Sequence, residues 1–266
     1  WMNRATRMLP QGEFVHVARL GGYYNLKYYR KCRHLIGNTE DIRDYLIGDG
    51  WPAERAHYLP NFVTETKAEP VDRRAFYTPD GAPLVVAMGR LHENKGFDVL
   101  LEAMARIPGA YLWIAGEGPL RADLEKKAES LCVKPRTRFL SWREDTPALL
   151  ASGDIFICPS RHEPLGNVVL EAWAQAAPVI AADSYGPGTL IENRETGILV
   201  PVDDAPALAG AILNLLKDDK LRQHVARQGH QAFKKDYTEK IIVARYLKFF
   251  ESIAAKTSAP SDEGTP

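Results

Sequence analysis

Cysteine is scarce in this chain of 266 residues, where it occurs only at positions 32, 132 and 158. The three cysteines lie far apart in the sequence and include no C-x-x-C pair. This odd, widely spaced set argues against a disulfide framework and against a cysteine-based zinc site. The scarcity therefore indicates a reducing compartment, and we expect the protein to be cytoplasmic.

The sequence also lacks an excess of charge and any long apolar run. Its 34 lysines and arginines balance 34 aspartates and glutamates, so there is no overall electrostatic attraction to nucleic acid. No apolar segment reaches the ~18–20 residues that cross a bilayer, and no charged and then apolar leader opens the chain. With 45% hydrophobic and 26% charged residues, the composition predicts an ordinary globular protein.

Between about residues 82 and 200, short apolar runs are separated by segments of helical period. The runs lack polar alternation, which indicates parallel strands that are covered on both faces. We therefore predict an α/β fold with one complete doubly wound, Rossmann-like domain. Its strands are expected at 83–88, 111–115, 138–140, 154–158, 177–181 and 197–200. Such sheets bind ligands at the carboxyl ends of the strands, where the strand order reverses.

The first 66 residues contain too little for an independent hydrophobic core. Strands are predicted at 14–20, 34–37 and 56–59, and helices at 24–33 and 39–46. We expect this segment to be the last part of a second α/β domain whose front part is absent. The predicted divisions are 1–66 for this segment, 67–235 for the complete domain, 236–255 for a final helix and 256–266 for a disordered tail.

The first loop that could carry chemistry runs from Gly89 to Gly96, between a predicted strand and a predicted helix. Free backbone amides at such a helix start attract anions. Arg90 and Lys95 add a planar fork and a point charge, which together suit a diphosphate. The spacing is neither that of a Walker A loop nor that of a dinucleotide G-x-G-x-x-G loop. The alternative is an ordinary helix start with two solvated cations.

The second loop carries two carboxylates, Glu163 and Glu171, after the predicted strand at 154–158. Both can face the strand-end cleft, where a carboxylate accepts hydrogen bonds from the vicinal hydroxyls of a ribose or a sugar ring. The amides of Gly166 and its neighbours open the next helix and supply a second positive helix end. The alternative is a satisfied helix carboxylate at Glu171 and a solvated one at Glu163.

In combination, the two loops resemble the donor-binding domain of the retaining GT-B glycosyltransferases of group 1 (GT4-like). Further pieces of that pattern follow in order: IAGEGP at 114–119, SRHEPLG at 160–166, LEAWA at 170–174, PVIA at 178–181, GPG at 186–188 and GILV at 197–200. The resemblance covers about residues 83–250. The opening segment, with LGGYY at 20–24 and IGNTEDI at 36–42, resembles bacterial members that build lipopolysaccharide or capsule glycans.

The resemblance implies a role for each residue of the two loops. Beside Gly89, the cations of Arg90 and Lys95 would hold the donor diphosphate. Glu163 would contact the transferred sugar, and Glu171 would contact the ribose. The backbone that would line the sugar and the phosphates is that of Leu165, Gly166, Asn167 and Val168. The strand-end loop at 140–142, which begins at Leu140, would hold the base.

The resemblance also implies metal-free transfer with retention and a final helix that crosses back to the N-terminal domain. No D-x-D pair follows a predicted strand, and Arg90 and Lys95 can neutralise a leaving diphosphate. We therefore expect no metal and no cofactor besides the nucleotide-sugar co-substrate. Ala176 and Thr189 depart from the family pattern, which usually has Gly and Glu at these two places.

We predict a retaining, hexosyltransferase-like enzyme that moves a sugar from a nucleotide-diphosphate-sugar to a glycan or lipid-linked acceptor, in the synthesis of lipopolysaccharide or another cell-surface polysaccharide. Two alternatives stay open, a fragment that binds nucleotide-sugar without turnover and a GT-B sugar-nucleotide epimerase. The basic, aromatic segment at 27–34 indicates either a peripheral contact with an anionic membrane or phosphorylated acceptor, or a solvated helix face.

Overall fold

The computed structural model describes residues 14–258, with side chains described as far as residue 254. The chain divides into two compact units. The smaller unit combines the described residues up to Phe62 with those from Glu239 onward, and the larger unit runs from Val63 to Thr238.

The described part of the smaller unit contains a parallel sheet of three strands in the order β1-β2-β3. These strands are β1 (Val17–Leu20), β2 (His34–Gly37) and β3 (Ala56–Tyr58). Helix α1 (Glu40–Gly48) follows β2 and is capped by Thr39, whose hydroxyl accepts the N–H of Ile42 at 3.1 Å. Ile42 and Leu46 are fully buried, so the apolar face of α1 packs into the core of this unit.

The helix predicted at 24–33 is wrong. Only Leu26–Tyr28 form a short 3₁₀ turn, which begins where the Asn25 side chain accepts the N–H of Lys27 at 3.0 Å. The buried residues of the segment, Leu26, Tyr29 and Cys32, recur every third position. That spacing matches 3.0 residues per turn rather than the 3.6 of an α-helix, and the N–H groups of Tyr29 and Cys32 both bond three residues back.

The larger unit is built on a six-stranded parallel sheet, all of it within the described residues. Its strands are β4 (Leu84–Met88), β5 (Tyr111–Ala115), β6 (Thr137–Phe139), β7 (Ile155–Cys158), β8 (Val179–Ala182) and β9 (Ile198–Val200). They lie in the order β6-β5-β4-β7-β8-β9. The strand order therefore reverses between β4 and β7, and the predicted doubly wound α/β fold is confirmed.

Helices cover both faces of this sheet. In chain order they are α2 (Phe97–Met104), α3 (Arg121–Ser130), α4 (Thr146–Ser152), α5 (Asn167–Ala174), α6 (Tyr185–Leu190), α7 (Ala205–Lys217) and α8 (Asp219–Asp236). Alternate residues of β4 enter opposite cores: Val85 packs with residues of α2 and α7, and Val86 packs with residues of α4, α5 and α8. Burial on both faces explains why the strands are apolar without alternation.

The chain returns to the smaller unit through α9 (Glu239–Ser258). Phe249 and Ile253 of this helix are buried with Ile36 of β2 and Leu59. The helix includes residues 256–258, so the prediction of disorder is wrong there, and the alanine and lysine at 255 and 256 favour a helical backbone. The rest of the predicted tail, 259–266, lies outside the described residues.

Among the described helices, none has the length and apolar content needed to cross a membrane.

Candidate functional site

The Gly89–Gly96 loop leaves the carboxyl end of β4 and leads into α2. Glu93–Lys95 form a 3₁₀ turn capped by His92, whose Nδ1 accepts the N–H of Asn94 at 3.3 Å. Gly96 has a φ of 63°, and a Cβ at this position would lie 2.1 Å from the carbonyl oxygen of Pro159. Only glycine therefore allows this loop to approach the one that follows β7.

One backbone hydrogen bond and one side chain join these loops. The N–H of His162 donates to the carbonyl of Asn94 at 3.2 Å. Arg161 donates to the carbonyl of Glu93 at 2.7 Å, to both carboxylate oxygens of Asp98 at 2.9 and 2.7 Å, and to Asp203 at 2.5 Å. Burial alone would raise the pKa of Asp98, but the hydrogen bonds and charge of Arg161 hold that pKa below its usual value. The Arg161 side chain thus holds the two loops together.

The two predicted diphosphate cations have different surroundings. Lys95 forms an ion pair with Glu163, and both side chains are largely buried. Arg90 is exposed, and among the described residues its guanidinium has no hydrogen-bond or ion-pair partner. The larger unit therefore presents one cation that is already neutralised and one that is free to meet an anion.

Glu163 and Glu171 lie on either side of the start of α5. The carbonyl of Glu163 accepts the N–H of Gly186 at 2.7 Å, which attaches this loop to α6. Gly166 has a φ of 79° and turns the chain into α5. Burial, with a smaller contribution from the charge of Glu163, raises the pKa of Glu171. Among the described residues, no cation or hydrogen-bond donor pairs with the Glu171 side chain to offset this burial, so its carboxylate is available to a ligand.

A cavity of about 710 Å³ opens at the carboxyl ends of β4 and β5. Four of the predicted site residues line it: Gly89, Arg90, Val168 and Glu171. Its wall also includes Trp142, which is 72% exposed and belongs to the predicted base-binding loop. The structure thus brings the free cation, the partnerless carboxylate and an exposed aromatic ring to one cavity.

The other predicted site residues do not line this cavity. Lys95 and Glu163 form their ion pair at the adjoining loops, and Gly166 and Asn167 begin α5. Leu165 is buried, and Leu140 packs against the core on the α5 side of the sheet.

Several lining residues were not predicted from the sequence, namely Glu117, Arg143, Glu144 and Thr146. The signal that could have identified the last three is their position directly after β6, at the same edge of the sheet. Arg143 is ion-paired with Asp145 at 2.6 Å. Burial raises the pKa of Cys158 to about 11, as is expected of a core thiol rather than of a nucleophile.

The fold and the site together define a class: a two-unit α/β protein whose doubly wound sheet carries a cavity with charged residues in its wall where its strand order reverses. Residues 69–232 match the family model described as glycosyl transferases group 1. The chain belongs to this family, and it is a glycosyltransferase, as the sequence pattern predicted.

Two curated relatives are lipopolysaccharide core biosynthesis glycosyltransferases of Rhizobium meliloti. The chain is 39% identical to LpsE over 255 residues, which are 95% of this chain and 74% of the relative. It is 34% identical to LpsD, over 96% of this chain and 75% of the relative. Among solved structures, HepE of Anabaena in complex with UDP and glucose superposes with a TM-score of 0.80 at 21% identity, over 90% of this chain and 71% of that one. That likeness supports the GT-B fold.

Proposed function

We propose that the protein is a retaining, metal-independent glycosyltransferase that moves a sugar from a nucleotide-diphosphate-sugar to a glycan acceptor of the lipopolysaccharide core. The observation that carries this proposal is the strand-end cavity, whose wall holds the half-buried Glu171 and an Arg90 that is unpaired among the described residues, beside the Lys95–Glu163 pair. The acceptor class is proposed from the names of the two Rhizobium relatives.

The donor diphosphate is proposed to lie between Arg90 and the starts of α2 and α5. Arg90 can form two parallel hydrogen bonds with phosphate oxygens. The amides that open the two helices add partial positive charge to the same region. These cations and amides supply the charge that a bound metal would otherwise provide to the leaving diphosphate.

The Lys95–Glu163 ion pair prepares the site for the donor. When the diphosphate binds, the Lys95 ammonium exchanges one carboxylate oxygen for a phosphate oxygen, and Glu163 becomes an acceptor for a hydroxyl of the sugar. The two groups are already adjacent and largely buried, so little conformational entropy is lost in this exchange. Glu171, which has no charged partner in the described part of the chain, accepts the ribose hydroxyls.

Retention is proposed to proceed by departure and attack on the same face of the sugar. The bond from the anomeric carbon to the phosphate oxygen breaks, the acceptor oxygen forms the new bond, and its proton passes to the released phosphate. Two properties of the site support this course over a covalent intermediate on the protein. Glu163 is held by Lys95, and the Cys158 thiol is buried with a pKa of about 11.

The three cysteines are all free thiols, which is compatible with a reducing compartment, so we propose that the reaction takes place in the cytoplasm.

A panel of UDP-, GDP- and ADP-sugars with a lipopolysaccharide core acceptor tests the activity. Nucleotide release that requires the acceptor is expected, and proton NMR of the product should show an anomeric configuration unchanged from the donor. Turnover should persist in EDTA. Lys126→Ala, an exposed residue of the larger unit outside the cavity, is the matched control for Arg90→Ala.

Three results would contradict parts of the proposal. Nucleotide release without an acceptor, together with a changed sugar, would favour an epimerase. Donor binding without turnover under all conditions would favour a binding protein. Loss of turnover in EDTA that is restored by Mg²⁺ or Mn²⁺ would exclude metal independence.

A further inference from the structure

A second cavity, of about 490 Å³, lies within the smaller unit and shares no lining residue with the strand-end cavity. One of its sides is the segment before β2, and the other is the turn between α1 and β3. It therefore sits at the amino ends of these strands, the opposite end from the one where parallel sheets bind ligands. Nothing in the proposed transfer reaction uses it.

Cations dominate the polar part of this cavity. Lys27, Arg30 and Arg55 line it, and no carboxylate pairs with any of them among the described residues. Asp49 is the single acidic residue among the described lining, and the carboxyl end of α1 adds about half a negative charge. Three positive charges therefore face about one and a half negative ones, and the cavity keeps an excess of positive charge.

A buried donor without an acceptor borders the same cavity. Trp51 is positioned by the turn that ends α1, in which its N–H donates to the carbonyl of Leu46 at 2.9 Å and the N–H of Gly50 donates to Ile47 at 3.0 Å. Its indole Nε1 is buried and has no hydrogen-bond partner among the described residues. Because Trp51 lines the cavity, its indole resonance can report a ligand that binds there.

We propose that this cavity binds a phosphate group, carried either by a glycan or by a lipid headgroup. Two guanidinium groups and one ammonium offer donors from several directions. A phosphate presents three or more acceptor oxygens in a tetrahedral arrangement, which can use these donors better than a flat carboxylate can. The lack of carboxylate partners leaves the three cations available for this contact.

The test is an NMR titration of the tryptophan indole N–H groups with inorganic phosphate. The Trp51 resonance is assigned by its loss in Trp51→Phe. We expect a saturable shift of this resonance, and we expect the double variant Arg30→Ala/Arg55→Ala to weaken the apparent affinity at least tenfold. Lys31→Ala removes a neighbouring exposed charge outside the cavity and should change the affinity less than twofold. The buried Trp113 and Trp173 report whether each variant is folded.

The proposal fails if phosphate leaves the Trp51 resonance unmoved, or if the double variant binds as well as the unaltered protein. Trp142 lines the strand-end cavity and reports nucleotide binding in the same spectra, so failure of either proposal is seen separately.

Sedimentation with vesicles separates the two sources of phosphate. Co-sedimentation with phosphatidylglycerol but not phosphatidylcholine vesicles, lost in the double variant, assigns a lipid headgroup. Failure to sediment while the phosphate titration holds assigns a phosphate carried on a soluble glycan. Either result supports the site.

Discussion

The cations of the two units have different roles. In the larger unit, Lys95 and Arg161 are bound to carboxylates and hold the loops of the candidate site together. In the smaller unit, Arg30 and Arg55 line a cavity and have no carboxylate partner among the described residues. A paired cation fixes the position of the backbone around it, whereas an unpaired one keeps its charge for a ligand. Arg90 lies near Lys95 but has no partner within residues 14–258, so the strand-end site contains both a paired and an unpaired cation.

The largest effect is expected from the removal of a paired cation. Arg161→Ala leaves the partly buried Asp98 and the more exposed Asp203 without their partner. We expect the free energy of unfolding to fall by about 2–3 kcal/mol, which is below the range for fully buried pairs because all three groups have some solvent contact. The transfer rate should also fall by more than tenfold, because both site loops lose their connection. Urea unfolding and steady-state kinetics measure the two effects.

The control for this prediction is Lys134→Ala, which removes a surface pair with Glu129. It should lower the free energy of unfolding far less. Arg161→Lys should recover part of the stability and part of the rate. Equal costs for Arg161→Ala and Lys134→Ala would show that the loop connection is no stronger than an ordinary surface pair.

The second prediction compares an unpaired cation with a paired one. Arg90→Ala should weaken binding of the cognate nucleoside diphosphate by about 1.5–3 kcal/mol and leave stability unchanged, since the side chain has no partner to lose. Lys95→Ala should weaken binding similarly but also lower stability, because Glu163 is left largely buried and unpaired. Calorimetric titration and thermal unfolding of both variants check this. Unchanged affinity in both would exclude the diphosphate assignment, and equal stability would exclude the distinction between the two cations.

The third prediction concerns a carboxylate that lacks a partner. The folded-state pKa of Glu171 is raised by burial and by Glu163, so the folded protein binds more protons than the unfolded one above the usual carboxyl pKa. Ionisation of Glu171 therefore lowers stability as the pH rises through that window. Glu171→Gln should raise the free energy of unfolding by roughly 1 kcal/mol at neutral pH, and the gain should vanish below about pH 4. The same variant should bind donor more weakly.

Unfolding experiments at several pH values and one donor titration test this. A variant that is less stable than the original protein at neutral pH would show that Glu171 has a stabilising partner in the fold. Glu163→Gln is a useful companion, because it removes a charge that does have a partner and should lower stability instead.

The smallest expected effect lies away from the charges. Ala176 follows α5 with a φ of 54°, and the N–H of Ala177 donates to the carbonyl of Ala172 at 2.9 Å in a helix-ending turn. The left-handed conformation costs an alanine ~1–2 kcal/mol, and glycine loses ~0.5–1 kcal/mol of entropy on folding. Ala176→Gly should therefore stabilise the protein by about 0.5–1 kcal/mol. Thermal unfolding checks this, and a lower melting temperature would contradict it.

The sheet of the larger unit was predictable because its signal is local. Each strand is a short run of apolar residues, and such runs require burial on two faces wherever they occur. The carboxyl ends of parallel strands meet at one edge, so Arg90 after β4 and Glu171 beyond β7 could be expected near one another. The strands and their order are enough to predict that both residues lie at one cavity, as they do.

The segment at 24–33 shows where local reasoning fails. Its length and composition allow a helix, yet its buried residues recur every third position and the Asn25 side chain takes over a backbone N–H. Whether Leu26, Tyr29 and Cys32 meet the core along a helical stripe depends on the strands and the helix around them. Helix propensity has a smaller influence on the backbone than such tertiary packing.

The sequence by itself determined the strands, the two charged loops and the family, because each depends on residues that are close in the chain or follow one another in order. Only the tertiary structure decided how the charges are used. Lys95 and Glu163 are 68 residues apart, and they pair because the fold places β7 beside β4. The same adjacency lets Arg161 reach Glu93 and Asp98. Hydrogen bonds and ion pairs act over a few ångströms, so which cations are neutralised and which stay free depends on distances that exist only after the chain has folded.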